Sequence, residues 1–192
     1  KPPKPRPIKI AAHADAGIFS YYAYLLSERY EQSLSTDGTF RSVVAFRSGH
    51  GTNMDAASEV FHFTLDPHYI LTFDIEGFFD NLDHSILKTA WQDLLHANRL
   101  PSDHYALFKA LTNYAEVDRT KLYQSLGISI HNPKQTHLKP YLRRTQVCLA
   151  SEFRKLRSNH PSLIQVNNTG KGIPQGSPIS AFLSNVYMRS FD

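Results

Sequence analysis

The chain has 192 residues, 41% of them hydrophobic, with ten Tyr, twelve Phe and a formal net charge of +4. That apolar and aromatic content supports a packed core and excludes global disorder, and the length admits one large domain or two lobes sharing a core. The single cysteine, Cys148, excludes an internal disulfide, and no apolar run reaches the ~20 residues that span a bilayer or forms a secretory signal, so no membrane contact and a cytoplasmic setting are expected.

In chain order, Lys1–Pro7 is Pro-rich and basic and should be extended. Ile8–Ile10 alternates like a short strand. Asp15–Tyr30 has a helical stripe of Ile18, Tyr21, Tyr22, Leu25 and Leu26 with Arg29 on its edge, and Asp37-Gly38 marks a turn. Val43–Phe46 is a strand candidate, followed by a glycine loop from Arg47 to Thr52. Asn53 should cap a helix to about Phe63, with Met54, Ala57, Val60 and Phe61 turned inward. Tyr69–Phe73 is a short β-branched and aromatic run bounded by a turn, which predicts a buried strand presenting Asp74 at its end.

Asp80 or Asp83 should start a helix whose Ile86, Leu87, Ala90, Trp91, Leu94 and Leu95 recur at helical spacing. Pro101-Ser102-Asp103 opens another, through Leu107, Phe108, Leu111 and Tyr114. Arg119–Leu126 is a short helix that Gly127 should end, and Pro140–Ser158 is helical and strongly basic. Ile164–Asn167 reads as a strand, Asn168–Gly170 as a turn, and Ser177-Pro178 as the start of a helix carrying Phe182, Leu183, Val186 and Tyr187.

Charge is segregated along this order. From Asp55 to Asp118 there are eleven acidic and three basic residues, and from Arg119 to Lys171 ten basic and one acidic. An acidic centre beside a basic strip suits an enzyme that handles a polyanion at a cation site; a solvated basic helix face gives the same composition. Within the strip, Arg143, Arg144, Arg154 and Lys155, with Lys134, Lys139 and Arg157, are candidates to track a phosphate backbone, and Tyr141 and Phe153 lie between them.

A carboxylate at a strand mouth costs several kcal/mol if buried without a partner, so Asp74 calls for solvent, a hydrogen-bond shell or a cation. One Asp is a reasonable part of a Mg²⁺ site, which takes one or two carboxylates, water and phosphate oxygens; a structural cap is the plainer role for an isolated strand-end Asp. Gly172–Gly176, GIPQG, sets Gln175 in a stiff, close-packed loop able to hold backbone against a ligand. The ten histidines lack zinc-site spacing, and Gly49-His50-Gly51 is not a phosphate loop.

The strings FDIEGFFDNLDH (73–84) and KGIPQGSPISAFLSN (171–185), in that order, resemble motifs of bacterial-type reverse transcriptases, including group II intron maturases, retron enzymes and defence-associated enzymes. Ala181 departs from the proline common at that place. The resemblance implies an α+β fold, the fingers and partial palm of a right-hand polymerase, helix-rich with a small antiparallel sheet. Residues 1–68 would be fingers-like and 69–192 partial palm, with a basic helical insertion at about 119–171. It implies RNA-directed DNA synthesis from dNTPs on an RNA template, extending a DNA or RNA primer. Two Mg²⁺ ions, or Mn²⁺, would serve the complete enzyme. By the same resemblance Asp74 and the Ile75 carbonyl ligate metal, Phe79 selects deoxynucleotides, and Gln175 with Gly176 meets the incoming nucleotide. The segment VVAFRSGHGTNMDAA resembles a fingers loop, in which Arg47 would pair with the triphosphate. Lys9 and Arg41 are weaker candidates for that surface. The Tyr-x-Asp-Asp motif of the family does not occur in the sequence, nor is a thumb expected, so the chain alone should have negligible activity. Other readings are a non-catalytic RNA-binding scaffold and a template-independent or protein-primed DNA polymerase of a phage-defence system.

Overall fold

The computed structural model describes residues 8–47, 51–129 and 147–192. The chain divides into two compact units, Lys1–Tyr114 with Asn168–Asp192, and Ala115–Asn167. The fold is helix-rich, and its sheet among the described residues is two-stranded and antiparallel.

The first unit is built on α1 (His13–Asp37), α4 (His84–Leu94), α5 (Ser102–Thr112) and α8 (Ser180–Met188), with α2 (Asn53–Phe63) and the one-turn α3 (Phe78–Asn81) between them. Helix α1 is longer than the stripe predicts. It buries Phe19, Leu26, Tyr30 and Leu34, spaced by seven and four, and Gly38 stops it at a φ of 80°. In α4 the buried face is Leu87, Trp91 and Leu94, and in α8 it is Phe182, Leu183 and Val186. These faces meet with Leu107, Phe108 and Leu111 of α5 in one cluster, completed by Val43, Leu82, Leu100, Ile173 and Ile179. Tyr30 meets Phe182 edge-on at 5.7 Å, and Trp91 meets Phe108 in the same way at 6.4 Å. Each fully buried Leu or aromatic here contributes roughly 1.5–3 kcal/mol of apolar transfer. Helix α8 begins at Ser180, one turn later than Ser177-Pro178 predicts.

Helix α2 forms where expected, but its cap is Thr52, one residue before Asn53. Thr52 Oγ1 accepts from the Asp55 amide, and the Asp55 carboxylate accepts from the Thr52 amide at 2.6 Å. Its inward face is a correction: Met54, Ala57, Val60 and Phe61 are exposed. The local cap suffices to start the helix, yet none of the described residues covers that side.

The strand expected at Tyr69–Phe73 is likewise absent. The run is irregular, and Tyr69, Ile70, Leu71 and Phe73 are all exposed, Leu71 at 81% and Phe73 at 87%. A strand is made by its neighbours' N–H and C=O groups, and none of the described residues pairs with this run. Val43–Phe46 and Ile8–Ile10 also form no strand, for the same lack of a ladder.

The second unit holds the sheet. β1 (Ala115–Val117) pairs antiparallel with β2 (Ile164–Val166) in the register Ala115–Val166, Glu116–Gln165 and Val117–Ile164. β2 is the strand expected at Ile164–Asn167; β1 was not anticipated from the sequence. Between them lie α6 (Arg119–Ser125) and α7 (Ala150–Asn159). Asp118 caps α6 by accepting from the Thr120 and Lys121 amides, and Gly127 follows at a φ of 68°. Of the helix expected over Pro140–Ser158, residues 140–146 lie outside the described residues and residues 147–149 are not helical, Leu149 being the cap from which α7 starts at Ala150.

Candidate functional site

The two sequence motifs are joined backbone to backbone. Gly77 takes a left-handed φ of 61°, turns the chain after Glu76, and opens α3. Within α3 the Phe79 carbonyl accepts from the Ile173 amide at 2.9 Å, and just after it the Leu82 carbonyl accepts from the Gly172 amide at 2.8 Å. The His84 amide donates to the Gly170 carbonyl at 3.1 Å, and Asp83 bridges Lys171 in antiparallel fashion. The His84 side chain adds a further bond, its Nε2 lying 2.8 Å from the Gly172 carbonyl. A carbonyl only accepts, so this nitrogen carries the proton.

Gly172 is fitted to this ladder. Its φ is 82°, and a Cβ there would sit 2.9 Å from the Asp80 carbonyl oxygen and 3.3 Å from Asp80 Cα. Asp83 caps α4, taking the Ser85 hydroxyl and the Ser85 and Ile86 amides. The Ser85 hydroxyl first, then these amides, hold its carboxyl below the usual range.

The loop carrying Gln175 follows directly from the ladder. Pro174 offers its carbonyl to Ser180 Oγ at 2.7 Å, which folds the loop back on the start of α8. The Gln175 carbonyl accepts from the Lys9 amide at 2.8 Å. Gly176, at a φ of 102°, leaves room for Ile8, whose Cγ2 would lie 2.6 Å from a Cβ. Lys9 reaches the Tyr114 hydroxyl and lies over its ring, 4.3 Å from the centroid. Gln175 is half-buried, and Ser177 Oγ is buried with no partner among the described residues.

Asp74 and Ile75 sit three and two residues before Gly77, and both are exposed. Asp74 therefore escapes the desolvation cost of a buried strand-end acid by facing solvent. Its carboxylate and the Ile75 carbonyl are hard oxygen donors of the kind Mg²⁺ or Mn²⁺ accepts, but two donors make up only part of an octahedral shell. No cluster of three His, Cys, Asp or Glu able to hold a metal occurs among the described residues. Phe79 and its neighbour Phe78 are both half-buried against the core, rings edge-on at 5.5 Å, and Phe78 also meets Tyr187.

Arg47 has a different place from the one its sequence context implies. Its side chain is fully buried; Nε and Nη2 form a fork on Glu31 at 3.0 and 2.6 Å, and Nη1 donates to the Phe40 and Val43 carbonyls. The guanidinium also lies 4.4 Å from the Phe40 ring centroid. Phe46 just before it has a positive φ of 56°, rare for an aromatic. Arg47 thus ties α1 to the 40–47 segment, and a triphosphate could be met only by breaking those bonds. Beside it, Asn185 of α8 donates to the Ala45 carbonyl at 2.7 Å.

In the second unit, Arg154, Lys155 and Arg157 are exposed on α7. Arg143 and Arg144, with Lys134, Lys139 and Tyr141, lie outside the described residues.

Sequence reasoning missed two features. One is the His84 clasp, whose only signal was a histidine directly after a helix-capping Asp. The other is a cavity of about 670 Å³ in the first unit, lined by Leu25, Leu26, Arg29, His96, His104 and Arg189 among others. Burial lowers the His104 pKa, and its Nδ1 is buried with no partner among the described residues. No candidate residue from the motifs lines this cavity.

No protein-family model matches the chain, and no curated protein matches it.

Proposed function

We propose that the chain is the nucleotide-handling part of an RNA-directed DNA polymerase, a nucleotidyltransferase that extends a DNA or RNA primer on an RNA template. What supports this reading is the ladder between the two motifs: residues 79–84, which follow Asp74, are hydrogen-bonded to residues 170–173, which lead into Gln175. Two segments nearly ninety residues apart that resemble successive motifs of one active site are thus tied by backbone bonds.

In the proposed reaction the primer 3′-oxygen bonds to the α-phosphorus of a dNTP, the bond to the bridging oxygen breaks, and pyrophosphate leaves with its electron pair. Asp74 and the Ile75 carbonyl would hold part of the shell of a Mg²⁺ ion, which when bound supplies charge stabilisation at the attacking and leaving oxygens. The Gln175 loop would hold the sugar and base, its backbone fixed from one side by residues 79–84 and from the other by Lys9. The exposed Arg154 and Lys155 would meet the nucleic-acid backbone.

The deciding assay is primer extension by a protein that carries this sequence together with a Tyr-x-Asp-Asp segment, with and without RNA template, and with Asp74→Ala. Templated dNTP incorporation that Asp74→Ala abolishes is expected, with negligible incorporation by the 192-residue chain. RNA binding without incorporation would favour the scaffold reading, and incorporation without template the template-independent one.

A further inference from the structure

We infer that His84 is a positioning residue for the nucleotide loop, acting through the Gly172 carbonyl; for its effect on catalysis this rests on the polymerase reading above. Three backbone hydrogen bonds, two of them the pair that makes the Asp83–Lys171 bridge, join residues 79–84 to 170–173, and none of them reaches beyond Ile173. The loop that continues through Pro174 to Gln175 departs from the last rung, so the orientation of the Gly172–Ile173 peptide sets its direction at this end, while Ser180 on the Pro174 carbonyl and the Lys9 amide on the Gln175 carbonyl hold it further on. The Gly172 carbonyl lies in that peptide, and His84 Nε2 holds it at 2.8 Å.

The imidazole is itself fixed. His84 is the first residue of α4, its amide is bonded to Gly170, and its ring meets Phe108 edge-on at 6.4 Å. Phe108 is a buried member of the core. Gly172 is free to take the required peptide orientation because it has no Cβ to strike the Asp80 carbonyl. The device therefore couples a rigid, core-anchored ring to a peptide only three residues from Gln175, as preorganised sites require.

The test uses two substitutions. His84→Phe keeps the ring and its contact with Phe108 but has no donor. His84→Gln places an amide Nε2 at a similar reach and can donate. In the 192-residue chain, amide exchange at Gly172 and Ile173 should accelerate about three- to tenfold in His84→Phe, the loss of one net hydrogen bond, while Leu87 and Trp91 in α4 stay unchanged. His84→Gln should restore the wild-type rates. In the active, longer protein His84→Phe should raise the KM for dNTP by a similar factor, with kcat and template affinity held, and His84→Gln should restore it.

Unchanged exchange at both amides overturns the clasp. So does uniform acceleration throughout α4 without rescue by glutamine, which marks His84 as a packing residue only. Faster exchange with an unmoved KM overturns the positioning role. If the wild-type longer protein incorporates no nucleotide, the polymerase reading is what fails, and the exchange arm alone judges the clasp.

Discussion

Replacing Gly172 by alanine tests how tightly the two motifs are joined. Its φ of 82° is left-handed, a conformation that costs an L-residue roughly 1–2 kcal/mol. The added methyl would lie 2.9 Å from the Asp80 carbonyl oxygen and 3.3 Å from Asp80 C and Cα. These are backbone atoms, so the two segments must separate, weakening the bond from the Gly172 amide to Leu82 by about another 1 kcal/mol. The expected total is about 2–3 kcal/mol. Gly170→Ala supplies the control. Its φ is 73°, but nothing lies within 4 Å of its would-be Cβ, so only the conformational part should be lost. Trp91, the one tryptophan, is buried in the same unit and reports its unfolding by fluorescence. With a urea slope of about 2 kcal/mol/M, the midpoints of the two variants should differ by about 0.5 M. Equal midpoints would show that residues 79–82 and 170–173 are not in contact as described.

Arg47→Ala should destabilise the first unit by about 3 kcal/mol in the same urea assay, since it strips a buried fork from Glu31 and two carbonyls; a loss below about 0.5 kcal/mol would return Arg47 to the surface cations of its sequence reading. His104 gives a pH signature. Burial lowers its pKa, Arg29 adds to this and Asp103 opposes it, so the unfolded imidazole takes its proton first. Its stabilising contribution is whole above the ordinary value of about 6.5 and is lost as pH falls below it, and His104→Phe should flatten stability between about pH 7 and 5. Asp83, held low by Ser85 and the α4 amides, contributes above the ordinary carboxylate pKa of about 3.9 and loses that as pH falls further. Asp83→Asn should keep the cap and remove this acid-side slope in a pH series of thermal melts. Reversing Arg143, Arg144 and Arg154 to Glu should weaken RNA binding and reduce the steepness of its salt dependence by about two or more units if each faces a phosphate; unchanged affinity in a filter-binding titration would detach the basic strip from nucleic acid.

Local rules in the sequence determined most of the helices. Leu87, Trp91 and Leu94 at helical spacing behind Asp83, Leu107, Phe108 and Leu111 behind Pro101, and Gly38 and Gly127 as stops each act within a turn or two of chain. Such signals need no partner from elsewhere. Strands do need one, which is why the strongly strand-like Tyr69–Phe73 stays irregular while the weaker 115–117 pairs with Ile164–Val166. Burial of α2 was equally a matter of what packs on it, and its apolar residues stay exposed despite a sound capping box.

For the candidate site, the sequence by itself nominated the residues for the proposed chemistry, Asp74, Phe79 and Gln175, and determined their order along the chain. Only the tertiary structure decided which groups touch. It turned Arg47 from an open cation into the buried partner of Glu31, because a guanidinium reaches Glu31 across sixteen residues only once α1 and the 40–47 segment are packed. It also turned His84, and Gly172 of the glutamine loop, into the join between segments eighty-eight residues apart, since a hydrogen bond is fixed by distance in space and not by spacing in sequence.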